Sequence, residues 1–481
     1  MKKIYLVVLG SIIALNLDAQ TCDCKANFEW LKTTFETNDA GFDYYHQQKG
    51  ETNYALLNNS IREKSKNINT VLECQKLMIE WLHFFRKEHI GLELANQPES
   101  KKKLSEPEII KKFENWEKID LEISEFEKYL KSDNLKEYEG VWKGSNYTLG
   151  VKKVNEEYIG FIIKADGVYW TERQVKFRIN TTNNAGIYYM GDHSEKIIDR
   201  VDLFNNQYIR LGAYLILKKQ GGDSKINPKI ESYFQSINAH NPTLEKISDN
   251  TLLLRIPHMW TQFKPVIDSI ISTNIKLLTS TENLIIDIRN NGGGGDFTYE
   301  AILPIIYTNP IRTIDAEFLS TKTNNAMLEY VVNDKSFDKE LRDWAQTILD
   351  RANKSPNEFV PISDEVVTIT KYDTIYRYPK NVAIVIDENV ASAAEQFLLD
   401  AKQSTKVKVF GTTSAGGLDL ANVNQTMSPS GEFILSYATS RSMRVPEMVI
   451  DEIGVQPDYY LDATIPKYEW INYVNKILNE K

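Results

Sequence analysis

The chain changes its hydrophobic rhythm several times. Ile4 to Leu15 is an unbroken apolar run behind Lys2 and Lys3, and the sequence turns polar at Asn16, with small Ala19 following. A positive start and a short apolar core predict a signal peptide over residues 1–19, because the run is too short to span a bilayer comfortably. From 22 to 95 the apolar residues Phe28, Leu31 and Phe35, then Ile68, Val71, Leu72, Met78, Ile79, Leu82 and Phe85, recur at helical spacing. The stretch 97–136 is dense in Lys and Glu but keeps Ile109, Ile110, Phe113, Trp116 and Ile119 on one face, the mark of a solvated helical connector. Residues 20–136 are therefore expected to be a helical N-terminal domain with its connector.

The rhythm shortens over 138–219. Val141-Trp142, Tyr147 to Val151, Tyr158 to Ile163 and Tyr214 to Leu217 are β-like runs separated by turn residues, which predicts a small β domain. Residues 222–247, rich in Gly, Asn, Ser and Pro, read as a linker. Strands and helices then alternate over 248–475. Leu252 to Ile256, Leu284 to Ile288, Val382 to Ile386, Val407 to Phe410 and Phe433 to Ala438 are strand-like, and Phe263 to Leu278 is an amphipathic helix. Near-continuous apolar strands separated by helices mean an α/β domain with a mostly parallel sheet. Residues 310–378 interrupt it with a helix near 336–352 and a β-like run from Val366 to Tyr378, an insertion of the kind that forms a lid or flap.

Composition narrows the picture. The 481 residues suit two or three domains. With 57 basic and 66 acidic residues the net charge is -9, which argues against nucleic acid as the main partner. After removal of 1–19 no other long apolar stretch remains, so no membrane span is expected in the mature chain. The three cysteines are Cys22, Cys24 and Cys74. In an oxidising compartment Cys74 can pair with either member of Cys22-x-Cys24, and the set lacks the second pair a zinc site needs. His46, His83 and His89 read as packing or surface residues.

Two segments carry candidate chemistry. Asn290-Asn291-Gly292-Gly293-Gly294-Gly295 follows a buried strand directly. Such a run lets backbone N–H groups converge on a developing oxyanion, or it is simply a flexible turn. Its glycine spacing fits neither a phosphate loop nor a dinucleotide site. Ala391-Ser392-Ala393-Ala394-Glu395 follows the strand ending at Ile386 and opens a helix. Ser392 there is placed like a nucleophile with the Ala393 N–H beside it, and Ser-x-x-Glu is equally a capping box.

These segments occur in order with Gly411-Thr412-Thr413-Ser414-Ala415-Gly416-Gly417 and Gly454-Val455-Gln456-Pro457-Asp458. The series, over roughly residues 248–465, resembles the tail-specific, C-terminal-processing serine peptidases and their tricorn-like and retinoid-binding relatives. The resemblance implies a crotonase-like (ClpP-like) α/β domain. It also implies hydrolysis of peptide bonds through an acyl-enzyme on Ser392, with Ala393 and Gly293 or Gly294 forming the oxyanion hole, and no cofactor or metal. The chain departs from the pattern in three ways. The tail-specific lysine base aligns with Gly417, and no lysine occurs between Lys408 and Lys467. The tricorn-like histidine aligns with Arg255, which stays protonated. Residues 138–219 show no signature of the PDZ domain that usually precedes the catalytic domain.

Of the two histidines in this half of the chain, His240 and His258, the second is the better placed base. An acidic partner is expected from Asp451 or Glu452, before Gly454-Val455, with Asp451 at the place that aligns with the tricorn-like acidic residue, and Arg441 and Arg444 are near enough in sequence to hold a substrate carboxylate. The sequence therefore predicts a periplasmic or secreted serine endopeptidase acting on unfolded or flexible polypeptides. The missing lysine leaves open a catalytically inactive binding module of the same fold for a peptide or small ligand. A crotonase-type thioester hydrolase is a third reading, which export disfavours.

Overall fold

The computed structural model describes residues 22–95, 104–132, 134–144, 146–198, 200–212, 215–221 and 227–480. The expected signal peptide lies outside these residues. No helix among them is long and apolar enough to cross a membrane.

The chain folds into two compact units, 98–234 and the combination of 1–97 with 235–481. These boundaries differ from those the sequence suggests. The helical N-terminal residues share a unit with the strands after 248, because apolar Phe28, Phe35, Trp81 and Phe85 are buried in one core with Phe433, Leu435 and Tyr437. The stretch read as a linker holds a helix, Pro228–Ile237, and a strand, Thr243–Ser248. In the helix, Ile230, Tyr233, Phe234 and Ile237 recur at helical spacing and are buried, a signal that the surrounding polar residues mask.

The 98–234 unit is built on a nine-stranded antiparallel sheet. Each of its strands pairs with sequence neighbours, except that Gly140–Lys143 also pairs with Leu215–Gln220. Phe126, Trp142, Phe161 and Trp170 fill its core.

The other unit contains two larger sheets and a two-stranded one, Ile311–Ile314 with Val367–Thr370. The first has six strands in chain order: Thr243–Ser248, Thr251–Arg255, Asn283–Asp287, Asn381–Ile386, Val407–Gly411 and Tyr459–Tyr460. All neighbours after the first pair are parallel. Asn283–Asp287 is buried at every position. Leu284 and Ile286 face the core that holds Leu398, whereas Ile285 faces Trp470 and Val474 of the C-terminal helix Trp470–Asn479. This two-sided burial is why the strand reads as a continuous apolar run.

Phe433 to Ala438 does not continue that sheet. The strand Phe433–Ser442 pairs antiparallel with Gly91–Leu94, Ala316–Leu319 and Leu420–Met427. Phe433 and Leu435 are buried while Ile434 and Ser436 are half-buried, so the segment has the alternation of a strand covered mainly on one face. The insertion at 310–378 is tied into this second sheet through Ala316–Leu319 and Phe359–Pro361. Its helices, Lys322–Asn333 and Lys339–Ala352, pack a small core of their own around Phe318, Leu328 and Ile348.

Two cross-links hold the N-terminal helices. Cys24 is bonded to Cys74, and Cys22 is a buried free thiol. Burial, reinforced by Glu432, pushes the Cys22 thiol up to about 11, which keeps it protonated and inert. The second is an ion pair. Arg86 Nη1 and Nη2 donate to Asp39 Oδ1 and Oδ2 at 2.8 and 2.6 Å, and both side chains are fully buried. Asp39 also accepts the N–H groups of Gly41 and Ala438, while Arg86 Nε donates to the Glu88 carbonyl. Asp39→Ala leaves Arg86 charged and unpaired in the core. It is expected to destabilise this unit by about 3–5 kcal/mol, read as a lowered urea midpoint at unchanged m-value.

Candidate active site

The parallel sheet delivers two loops to one place. Asn283–Asp287 ends in the glycine run, and Asn381–Ile386 ends in the turn before the helix Ala393–Ala401. Three hydrogen bonds fasten loop to loop. Asn290 N donates to Asp387 Oδ1 at 2.8 Å, Asn389 Nδ2 to Asn290 Oδ1 at 2.9 Å, and Ala391 N to the Asn291 carbonyl at 3.1 Å. Gly293 then lies directly against the serine. A Cβ built on it would fall 2.7 Å from Ser392 Cβ and 2.9 Å from Ala393 N, so only glycine fits.

Ser392 is the N-cap of its helix, with φ 57° and ψ -127°. This positive-φ conformation is strained for a serine and is stored where the surrounding structure over-determines it. Ala393 supplies the first N–H of the helix, at the positive end of its dipole. Among the described residues neither Ala393 N–H nor Gly294 N–H has an acceptor. Gly293 N–H is already given to Asn291 Oδ1 at 2.9 Å. Of the two glycine amides expected for an oxyanion, Gly294 is thus the unengaged one.

Glu395 does what the capping motif predicts, and more. Its Oε2 accepts the Ser392 N–H at 3.1 Å and the Gly417 N–H at 2.9 Å. Its Oε1 accepts the Ser414 hydroxyl at 2.5 Å and the Gly416 N–H at 2.8 Å. The carboxylate is fully buried, and burial pushes its pKa above the usual range against the pull of these four donors. One buried group thus binds the serine turn to the loop Ser414–Gly417.

That loop meets a segment from the far end of the sequence. A Cβ on Gly417 would lie 2.8 Å from Glu88 Cβ. The position at which the resemblance led one to expect a lysine is therefore closed off by Glu88, and the residue next to Glu88 is His89. His89 has φ 54°. Its Nδ1 is buried with no partner. Burial, then the Arg86 charge, pulls its pKa down to about 4, so the ring is neutral at physiological pH. Sequence reasoning missed His89 because it lies some 300 residues before Ser392. The available signal was its place one residue short of Ile90 and the strand Gly91–Leu94.

Asp451 reaches the same region. Its Oδ1 accepts the N–H groups of Leu418 and Asp419, both at 2.6 Å, and its Oδ2 is buried without a partner. Burial, with the Asp419 charge second, pushes its pKa up to about 7. Asp451 lines a cleft of about 290 Å³ with Arg86, Glu88, Gly416 and Glu452.

The other expected residues are placed differently. His258 makes no hydrogen bond to Ser392. Its ring stacks on Trp260, centroids 4.2 Å apart, and burial and His240 pull its pKa down. Arg441 Nε is paired with Glu317 Oε1 at 2.7 Å, and its guanidinium lies 3.7 Å from the Phe359 ring centroid. Arg444 is buried and bonded to Asp419 Oδ1 and Gln396 Oε1. Both arginines are engaged in holding the second sheet and its turn, so neither is set out to receive a substrate carboxylate. Arg255 is buried beside Asp287 and bonds to its carbonyl at 3.0 Å. Among the described residues no group of His, Cys, Asp and Glu is arranged to hold a metal ion.

Residues 250–461 match the model of Peptidase family S41. Among solved structures the chain is similar to mature CPAF, with 14% identity, 95% of this chain and 96% of that chain covered, and a TM-score of 0.53. It is also similar to the photosystem II D1 C-terminal processing protease (12% identity, 96% and 98% covered, TM-score 0.40) and to the tricorn protease (11%, 95% and 36%, TM-score 0.40). No curated protein matches the chain.

The Glu395 arrangement is directly testable. Glu395→Gln turns one acceptor oxygen into an NH2 group facing two donors, leaving those donors unsatisfied. A loss of about 1–3 kcal/mol per orphaned group is expected in thermal or urea unfolding, and a variant of wild-type stability would contradict the arrangement.

Proposed function

We propose that the chain is an exported serine endopeptidase that hydrolyses peptide bonds of unfolded or flexible polypeptides through an acyl-enzyme on Ser392. The observation that carries this reading is the strained Ser392 turn, held with the unbonded Ala393 amide against the glycine run. The crotonase-like (ClpP-like) description of the core belongs to the same reading. Export is supported by the expected signal peptide and by the Cys24–Cys74 bond, which suits a periplasmic or extracellular compartment.

In this reading Ser392 Oγ attacks the scissile carbonyl carbon while a base takes its proton. The N–H groups of Ala393 and Gly294 receive the oxyanion, each such donor contributing about 2.7–4 kcal/mol to the transition state. Collapse expels the amine, which takes the proton back from the base, and water then hydrolyses the ester by the same route. His89 is the better base than His258. Its Nδ1 is bare, and it comes with Glu88 to the loop that Glu395 ties to Ser392. Asp451, with its bare Oδ2 in the adjoining cleft, is the acidic group available to stabilise the imidazolium.

The inactive binding-module reading has one observation in its favour: no base is hydrogen-bonded to Ser392 among the described residues. Catalytic hydrogen bonds are often long before substrate binds and tighten in the complex. Proteolysis of an unfolded protein mixture, read by sequencing new termini, separates the two. New termini are expected with the mature chain and should vanish in Ser392→Ala. His89→Ala should lower kcat about 10²- to 10⁴-fold, and His258→Ala should give the smaller loss. Termini identical in the wild type and Ser392→Ala would establish the binding-module reading.

The pH dependence follows from Asp451. Its carboxyl, raised to about 7, is largely protonated in mild acid and stabilises an imidazolium only once ionised. Activity is therefore expected to climb between about pH 6 and 8, and Asp451→Asn should flatten that limb at a lower rate.

A further inference from the structure

We propose that Trp260 and Phe297 form an aromatic platform beside the oxyanion loop that takes a bulky apolar side chain of the polypeptide substrate. The inference rests on the peptidase reading of Ser392 and extends it to substrate preference.

The glycine run is a ruler leading away from the serine. Gly293 touches Ser392 Cβ. Gly294 touches the next segment, where a Cβ would fall 1.9 Å from the Met259 carbonyl oxygen and 2.8 Å from Trp260 N. Met259 N donates to the Gly293 carbonyl, and Gly295 N donates to the Met259 carbonyl. Phe297 then folds back on the run, its ring in the space a Cβ on Gly295 would need, 2.4 Å away. Consecutive Cα atoms are about 3.8 Å apart, so Gly295 is at most roughly 7.6 Å from Gly293. An extended substrate advances about 3.3 Å per residue. Both rings are thus rooted one to three substrate residues from the scissile bond.

Both rings are also open. Trp260 is 44% exposed and Phe297 40%, although each is a large apolar side chain next to a well-packed loop. Trp260 is braced from one side. His258 stacks on it at 14°, and buried Phe263 lies at 26° with centroids 6.0 Å away. A braced ring loses little conformational freedom when a ligand covers it, which favours stacking of an aromatic or a branched aliphatic side chain. The occupant is set by continuity. The platform borders the loop that receives the scissile carbonyl, so what lies over it is the substrate chain itself. His258 acquires a place in this arrangement as the support of Trp260.

Two measurements test the platform separately from the peptidase reading. The first uses the full mature chain with Ser392→Ala, which binds without turnover, and a pair of unstructured nine-residue peptides of Ala, Gly and Ser with Phe or Ala at the centre. The Phe peptide is expected to bind about tenfold more tightly, and Trp260→Ala or Phe297→Ala in the same background should remove most of that difference. Trp260→Phe, which keeps a ring, should restore part of it. Equal affinities for the two peptides, or a difference untouched by either substitution in variants with wild-type unfolding curves, would overturn the platform. The second measurement is the sequence of new termini produced by the chain with Ser392 intact. Enrichment of bulky apolar residues at one fixed position within three residues of the cut, weakened by Trp260→Ala, supports the platform. Cleavage with no such position counts against it. No cleavage, together with the expected peptide-binding difference, rejects the peptidase reading and leaves the platform standing.

Discussion

The carboxylate of Glu395 fixes the relation between the serine and everything around it. A serine at positive φ does not hold its turn by itself; the conformation costs on the order of 1–3 kcal/mol and relaxes unless something opposes it. Glu395 opposes it through the Ser392 N–H, and with its remaining lone pairs draws in Ser414, Gly416 and Gly417. Removing this group from water is expensive, and four donors are what make a buried carboxylate tolerable. The glycines at 416 and 417 follow from that requirement, since their amides approach one carboxylate closely with Glu88 packed behind.

The next constraint lies in the Arg86–Asp39 pair. It fixes the end of the N-terminal helices against the strand Phe433–Ser442, because Asp39 also accepts the Ala438 N–H. The chain leaving Arg86 passes Glu88 and His89 and enters the sheet at Gly91, opposite Ser436. The segment that follows these helices therefore supplies one wall of the cleft that Asp451 lines. The disulfide Cys24–Cys74 braces the same helices.

How much of this was legible in the sequence depended on range. The strand Asn283–Asp287 and the strand Asn381–Ile386 showed themselves because burial on both faces makes them uniformly apolar. Ser392 was visible as the residue opening a helix after such a strand. Its reading as a helix cap is met by Glu395, which accepts the Ser392 N–H, and the same bond holds the positive-φ turn that the structure adds. The second sheet was hidden. Pairing of residue 91 with residue 436, and of 317 with 441, leaves no trace in local periodicity, so Phe433 to Ala438 was assigned to the nearest sheet in sequence. His89 was hidden for the same reason. Arg441 and Arg444 misled because closeness in sequence to Asp451 says nothing about which carboxylates they meet, and each had a nearer partner, Glu317 and Asp419.

The absence of a lysine at position 417 becomes intelligible in this light. A lysine there would need the volume that Glu88 fills, since even a Cβ would fall 2.8 Å from Glu88 Cβ and Cγ. The histidine that arrives with Glu88 carries no charge at neutral pH, held so by burial and by Arg86. It therefore makes no ion pair with Glu395, and the four hydrogen bonds on that carboxylate are left intact. With His89 as the base, as proposed, catalysis would depend on the docking of the N-terminal helices. One continuous set of contacts joins the Arg86–Asp39 pair to Ser392: Arg86 to Glu88, Glu88 to Gly417, Gly417 to Glu395, and Glu395 to the Ser392 N–H.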